Sequence, residues 1–324
     1  MHDLGEPEAV LQLDDVEVPV AGPGEVTIDV AAASLNFPDV LMCRGEYQVK
    51  PPLPFTPGAE VAGRVTAVGE GVDPELVGRR VLALPAFGPG GFSEHTLAPV
   101  GGVFPIPDSM GWHAAAALHV TYQTGYLALH RRAELRAGET LLVHAGAGGV
   151  GSAAIQLGRA AGARVIATAG GPEKVQVCRD LGADLVIDYR AGDFVDAVKD
   201  ATGGRGADVI YDSVGGDTFD RSRKCIAFEG RILVIGFAGG RIADAPTNHA
   251  LIKNYSIVGV HWGLYNVHQP ERIRDTHAEL VRLHAEGLVD PLVSRVVTMA
   301  EIPRALGELA SRGTWGKLVA EPRT

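Results

Sequence analysis

The stretch Leu141-Leu142-Val143-His144-Ala145-Gly146-Ala147-Gly148-Gly149-Val150-Gly151 constrains this chain more than any other. An apolar run leads into Gly146, Gly148 and Gly151 at the spacing Gly-x-Gly-x-x-Gly, and a helical stretch follows from Gly149 to Ala161. Strand, tight turn and helix in that order are the context in which this spacing has meaning. Glycine permits the turn and lets a pyrophosphate approach the backbone. The helix start then offers unpaired N–H groups and the positive end of its dipole. The expectation is a dinucleotide site.

The surrounding pattern agrees. Apolar runs without polar alternation recur at 140–145, 164–169, 185–189, 208–214, 231–237 and 256–260, with helical stretches at 172–181 and 194–202 between them. Buried parallel strands read this way, and six of them predict a doubly wound sheet. Residues 1–115 differ in texture: short β-type runs such as 26–30, 60–68 and 80–84 are cut by many prolines, which predicts a β-rich, barrel-like domain. After residue 269 come a helix at 271–286, a β run at 293–297, a helix at 301–311 and a strand at 317–320. This tail is too short to stand alone and is expected to fold back on the N-terminal region. The fold class is α/β: a β-rich domain of residues 1–115 and 262–324, discontinuous in sequence, around a six-stranded sheet domain of residues 116–261.

The end of the second sheet strand selects the cofactor. NAD sites place an acid there for the ribose 2′-hydroxyl. Here the strand ends Ile166-Ala167-Thr168-Ala169-Gly170-Gly171, without an acid, and Lys174 follows. A lysine attracts a 2′-phosphate and an acid repels it, so NADPH is the expected cofactor, with Glu173 a mild counter-argument. The formal charge of −10 disfavours a nucleic-acid partner and an anionic membrane surface. No apolar stretch nears the roughly 20 residues that span a bilayer. No basic, apolar leader is visible, and the three cysteines, Cys43, Cys178 and Cys225, form no Cys-x-x-Cys pair. A reducing, cytoplasmic setting is expected.

Several segments together resemble the zinc-independent quinone oxidoreductase family of the medium-chain dehydrogenase/reductase superfamily. They are Asn36-Phe37-Pro38-Asp39-Val40, Arg44-Gly45-Glu46-Tyr47, Pro57-Gly58-Ala59-Glu60-Val61-Ala62-Gly63, Ala145 to Gly151, Tyr211-Asp212-Ser213-Val214-Gly215-Gly216 and Ser311-Arg312-Gly313-Thr314-Trp315-Gly316-Lys317. The resemblance covers nearly the whole chain. It implies a GroES-like catalytic domain, split in sequence by a Rossmann domain, and hydride transfer from NADPH to quinones or activated double bonds. It implies that Lys174, Tyr189 and Arg312 hold the 2′-phosphate, and that Gly149 and Val150 form the pyrophosphate turn with Gly146, Gly148 and Gly151. It further implies that Ser213 contacts the cofactor and that Asn36, Asp39, Thr124, Phe237, Val260, His261 and Trp262 surround the nicotinamide. Tyr47 falls in the substrate pocket. Two features depart from the family: its strand ahead of His2-Asp3-Leu4-Gly5 is not seen, and its Gly-Asp-Arg-Val turn reads Gly78-Arg79-Arg80-Val81.

Zinc relatives hold their metal with a cysteine and a histidine; by the resemblance these positions are Asn36 and Ala59. A catalytic zinc takes three protein ligands, so no metal is expected. Reduction of an acceptor that is already electrophilic then suits the chain better than alcohol oxidation. Asn36 is expected to hydrogen-bond the developing oxyanion, and Tyr47 to donate a bond or a proton. An enoyl-thioester (enoyl-CoA type) reductase and a weakly catalytic NADPH-binding sensor or structural protein are the alternatives. The apolar last sheet strand would be an open edge, so a homodimer is expected.

Overall fold

The computed structural model describes residues 1–86 and 88–323. The chain forms two compact units, Met1–Val120 with the segment from Pro291 onward, and Thr121–Asp290.

In the first unit, strands β1 (Glu25–Leu35), β2 (Val61–Val68), β3 (Arg80–Ala83), β4 (His95–Pro99) and β5 (Val103–Pro105) come from the N-terminal part. In the second, β6 (Thr140–Val143), β7 (Arg164–Ala169), β8 (Leu185–Asp188), β9 (Ala207–Asp212), β10 (Ile226–Val234) and β11 (Ser256–Gly259) follow. The chain then returns to the first unit with β12 (Val293–Thr298) and β13 (Lys317–Glu321).

The first sheet runs β12-β13-β1-β2-β3-β5, with β4 on β1. Its long central β1 pairs with β4 over Glu25–Asp29 and with β13 over Ala33–Leu35, in the register Leu35↔Leu318. Val26, Ile28, Val30, Val65, Val81, Leu306 and Leu318 fill its core. Burying Leu318 and Ala320 against β1 is what brings the C-terminal strand back to the N-terminal domain.

The second sheet has the order β11-β10-β9-β6-β7-β8, and every neighbouring pair is parallel. Counted along the chain this is the doubly wound order, whose reversal between β6 and β9 opens a crevice at their carboxyl ends. Leu141, Leu142, Val143, Val165 and Ile166 have no solvent exposure, as strands covered on both faces require. No helix of the described residues is long and apolar enough to cross a membrane.

The boundaries differ from the expected ones at 115/116 and 261/262. Residues 262–290 stay with the parallel sheet. Their helix Pro270–Ala285 accepts a bond from Gln123 Nε2 at the Ile273 carbonyl. Asp290 is held by Gln156 from both sides, its carbonyl accepting from Nε2 (2.8 Å) and its N–H donating to Oε1 (2.6 Å). The Tyr122 hydroxyl donates to the same carbonyl. These buried hydrogen bonds bind the segment to the second unit, and only from Pro291 does the chain rejoin the first.

Candidate functional site

The glycine turn lies between β6 and the helix Gly149–Ala160, as the spacing predicts. A Cβ on Gly151 would stand 2.2 Å from the Ala145 carbonyl oxygen, and one on Gly146 would press on Ala167 and on Cys178 Sγ. Gly148 is the N-cap; no side chain caps the helix. The first-turn N–H groups of Gly149, Val150 and Gly151 have no side-chain cap, the arrangement by which helix starts can take an anion. Gly151→Ala is expected to cost about 1–3 kcal/mol of stability, because the clash is with backbone that cannot step aside. Urea unfolding monitored by circular dichroism measures this, and an unchanged midpoint would count against the close packing of the turn.

A second group gathers at the carboxyl ends of β7 and β8. The Tyr189 phenol lies over Gly170, where a Cβ would meet its oxygen at 2.4 Å. Arg190 lies beside Gly171: a Cβ there would be 3.3 Å from its Nη1. Asp188 Oδ1 accepts the N–H of Gly171 (3.1 Å) and of Arg190 (2.9 Å), which fixes both loops and holds its carboxyl below the usual range. Lys174 stands in the first turn of the helix Pro172–Asp180. Burial lowers its pKa first and the Arg190 charge lowers it further, partly offset by Glu173. Two cations thus share one corner, an arrangement that a dianion relieves. Arg190 was missed in the sequence; the signal was its place directly after Tyr189.

Ser213 follows β9, where Asp212 Oδ1 accepts the N–H groups of Val214 and Gly215 and shapes the turn. The half-exposed Phe237 packs beside Gly215, and the Ala238 N–H donates to the Ser213 carbonyl. Ser213 and Phe237 are therefore brought together. Val260 continues β11, its N–H donating to Val234, and His261 and Trp262 follow it. Thr124 is nearly buried on the helix Trp112–Tyr126.

The first unit holds the remaining candidates, Asn36, Tyr47 and Arg312. Arg312 sits on an exposed turn with φ of 60°. Asn36 is bonded within its own unit: its Nδ2 donates to Ser34 O (3.2 Å) and Glu60 Oε1 (3.0 Å), and its Oδ1 accepts from Lys317 Nζ (2.6 Å). An oxyanion would have to displace one of these bonds to be met by the amide. Tyr47 packs against Met1, Met42, Cys43 and Phe55. Burial, and then the field of Asp39, push its phenol pKa up.

The residues do not fit a zinc ion. Among the described residues no three His, Cys, Asp or Glu side chains converge, and Cys43, Cys178 and Cys225 are separately buried.

Comparison with known proteins adds the following. Residues 22–108 match a family described as alcohol dehydrogenase GroES-like domain, and residues 149–282 match one described as zinc-binding dehydrogenase. A quinone oxidoreductase-like protein 2 homolog of Nematostella vectensis is 38% identical over 98% of this chain and 87% of its own length. A probable oxidoreductase of Mycobacterium abscessus is similar in structure, with a TM-score of 0.88, 39% identity and coverage of 99% of this chain and 97% of that one. The Escherichia coli quinone oxidoreductase complexed with NADPH has a TM-score of 0.91 and 32% identity, over 99% and 98% of the two chains.

Proposed function

The chain belongs to the quinone oxidoreductase family of the medium-chain dehydrogenase/reductase superfamily, and from that premise we propose that it is an NADPH-dependent reductase of quinones and related α,β-unsaturated carbonyls that works without zinc. The observation that carries the cofactor reading is the pair Lys174 and Arg190 beyond the end of β7, a strand that itself closes without an acid, next to a glycine turn that leaves no room for a Cβ. The solved E. coli relative with NADPH supports the same choice.

Gly146, Gly148, Gly149, Val150 and Gly151 would hold the pyrophosphate, Gly170, Lys174, Tyr189 and Arg190 the 2′-phosphate, and Ser213 and Phe237 the nicotinamide side. Arg312, Thr124, Val260, His261 and Trp262 remain proposed contacts by resemblance. When bound, NADPH supplies a hydride from its nicotinamide. Tyr47 would then donate a hydrogen bond or a proton to the oxygen that gains charge, its phenol being protonated at neutral pH.

The test is NADPH oxidation, followed by absorbance, with ortho- and para-quinones, simple enones and an enoyl-CoA. Turnover of quinones or enones is expected. Turnover of the thioester alone would replace this reading by an enoyl-thioester reductase, and tight NADPH binding without turnover by a binding protein.

We also propose a homodimer formed through β11, which is the sheet's edge. Ile257 on that strand and Leu251, Ile252 and Val267 on the helices around it are exposed apolar residues. An open parallel edge flanked by such side chains invites pairing with a second copy. Light scattering at micromolar concentration is expected to give twice the chain mass, and Ile257→Lys a monomer; a monomeric wild type would refute the proposal.

A further inference from the structure

The first unit contains a buried ionic cluster that the proposed reaction does not use directly. Lys317, the first residue of β13, is 4% exposed. Its ammonium lies 2.6 Å from Asn36 Oδ1 and 3.0 Å from Glu60 Oε1. The same Glu60 oxygen accepts from Asn36 Nδ2, and the other carboxylate oxygen accepts the Val120 N–H at 2.8 Å. Asp39, fully buried, accepts the N–H groups of Asn36 (2.8 Å) and Gly58 (3.2 Å). A buried charge persists only when paired and hydrogen-bonded, so these residues depend on one another.

The cluster has a mechanical outlet. Asn36 is the N-cap of the helix Phe37–Arg44, and at the other end of that helix the N–H groups of Glu46 and Tyr47 both donate to the Leu41 carbonyl. Ordinarily an N-cap asparagine turns its side chain onto its own helix. Here the Asn36 amide is engaged by Lys317 and Glu60, and the Asp39 carboxylate accepts the Asn36 N–H in return.

We infer that Lys317 is a positioning residue for the reducing site: its ammonium locks Asn36 against Glu60 and so sets the helix that carries Tyr47. The inference rests on the reading of Tyr47 as the group that meets the substrate oxygen. Electrostatics give it a second readout. The Asp39 carboxyl is pushed up to about 7, chiefly by burial; Lys317 from β13 opposes this and Glu60 adds to it. The other groups that feel Asp39 are Cys43, whose thiol is pushed up to about 12, and the Tyr47 phenol, and both are neutral at pH 7. Loss of the Lys317 charge moves the Asp39 titration further up.

The experiment compares wild type with Lys317→Met and with Lys317→Met/Glu60→Gln, which removes both charges in case the single variant does not fold. In each, kcat and KM for a quinone are measured from pH 5.5 to 9, beside the Kd for NADPH. In Lys317→Met, kcat is expected to fall roughly tenfold to a hundredfold, the scale of a misplaced reacting group. The Kd for NADPH should stay unchanged. In Lys317→Met the pH midpoint attributed to Asp39 should rise; in the double variant, which also loses the opposing Glu60 charge, it should rise less. Unchanged kcat with an unmoved midpoint overturns the inference, as does a fall in kcat matched by lost NADPH affinity, which would mark general damage. If wild type reduces none of the acceptors, the functional reading fails separately. The ¹³C titration of Asp39 in aspartate-labelled protein then decides about Lys317: an upward move supports its hold on the Asn36–Asp39 turn, and an unmoved carboxyl refutes it.

Discussion

Replacing Lys174 with alanine is expected to weaken NADPH binding by roughly tenfold to a hundredfold, the worth of a charge-assisted hydrogen bond of about 1.5–3 kcal/mol. NADH, which lacks the 2′-phosphate, should be bound almost as before. The expectation is stronger for the company Lys174 keeps. Burial depresses its pKa and the Arg190 charge depresses it further, with Glu173 opposing, so a bound dianion would meet two cations here. Arg190→Ala should therefore act in the same direction. The double variant should lose less than the sum of the single losses, because removing one cation already relieves the other. Calorimetric titration of the wild type and three variants with both cofactors measures all of this. Equal losses for NADPH and NADH would show that Lys174 supports the fold alone, and the 2′-phosphate assignment would be withdrawn.

What the sequence disclosed and what it hid follow from the range of the forces involved. Strands β6 and β7 and the helix Gly149–Ala160 were legible because burial on both faces leaves a continuous apolar run, and because the turn between them tolerates only glycine. β10 was misplaced: it begins at Ile226, ahead of the expected start at Arg231, and passes through an irregular stretch where Glu229 has φ of 57°. A polar, exposed interruption of this kind erases the apolar pattern by which a buried strand is recognised. The helix Phe37–Arg44 went unread, although Asn36 followed three residues later by Asp39 is a recognisable helix start: Asp39 accepts the Asn36 N–H. The Lys317–Glu60 pair was out of reach altogether. Its partners are 257 positions apart in the chain, and nothing local to either residue announces the other. The same holds for Asp290 and Gln156, whose contact moves the domain boundary to residue 290.

Acid is expected to destabilise the parallel-sheet unit through His144, which looked like an ordinary strand residue in the sequence. The imidazole is buried, edge-on to Phe194, with Nδ1 3.0 Å from Thr168 Oγ1 and Nε2 2.8 Å from Ser222 Oγ. The Ser222 hydroxyl spends its proton on the Thr218 carbonyl, so Nε2 must be the protonated nitrogen and Nδ1 accepts from Thr168. A neutral ring satisfies both neighbours; a second proton would force the Thr168 hydroxyl to turn from donor to acceptor. Burial pulls the pKa down to about 4, with Arg221 assisting and Asp212 opposing. The unfolded chain, with a histidine near 6.5, binds more protons than the native one between these values. Stability from this group is therefore complete above pH 6.5 and is lost as pH falls toward 4, by about 3 kcal/mol over the window. Other acid-titrating groups change stability too, but they are common to wild type and His144→Gln and cancel in the difference. The glutamine variant should be less stable than wild type at pH 7 by about 1–3 kcal/mol, the penalty of a disturbed buried hydrogen-bond pair. That deficit should vanish by pH 4. Urea unfolding of both proteins at pH 7, 5.5 and 4 tests it, and a deficit that stays constant across the three would show that His144 does not titrate in this range.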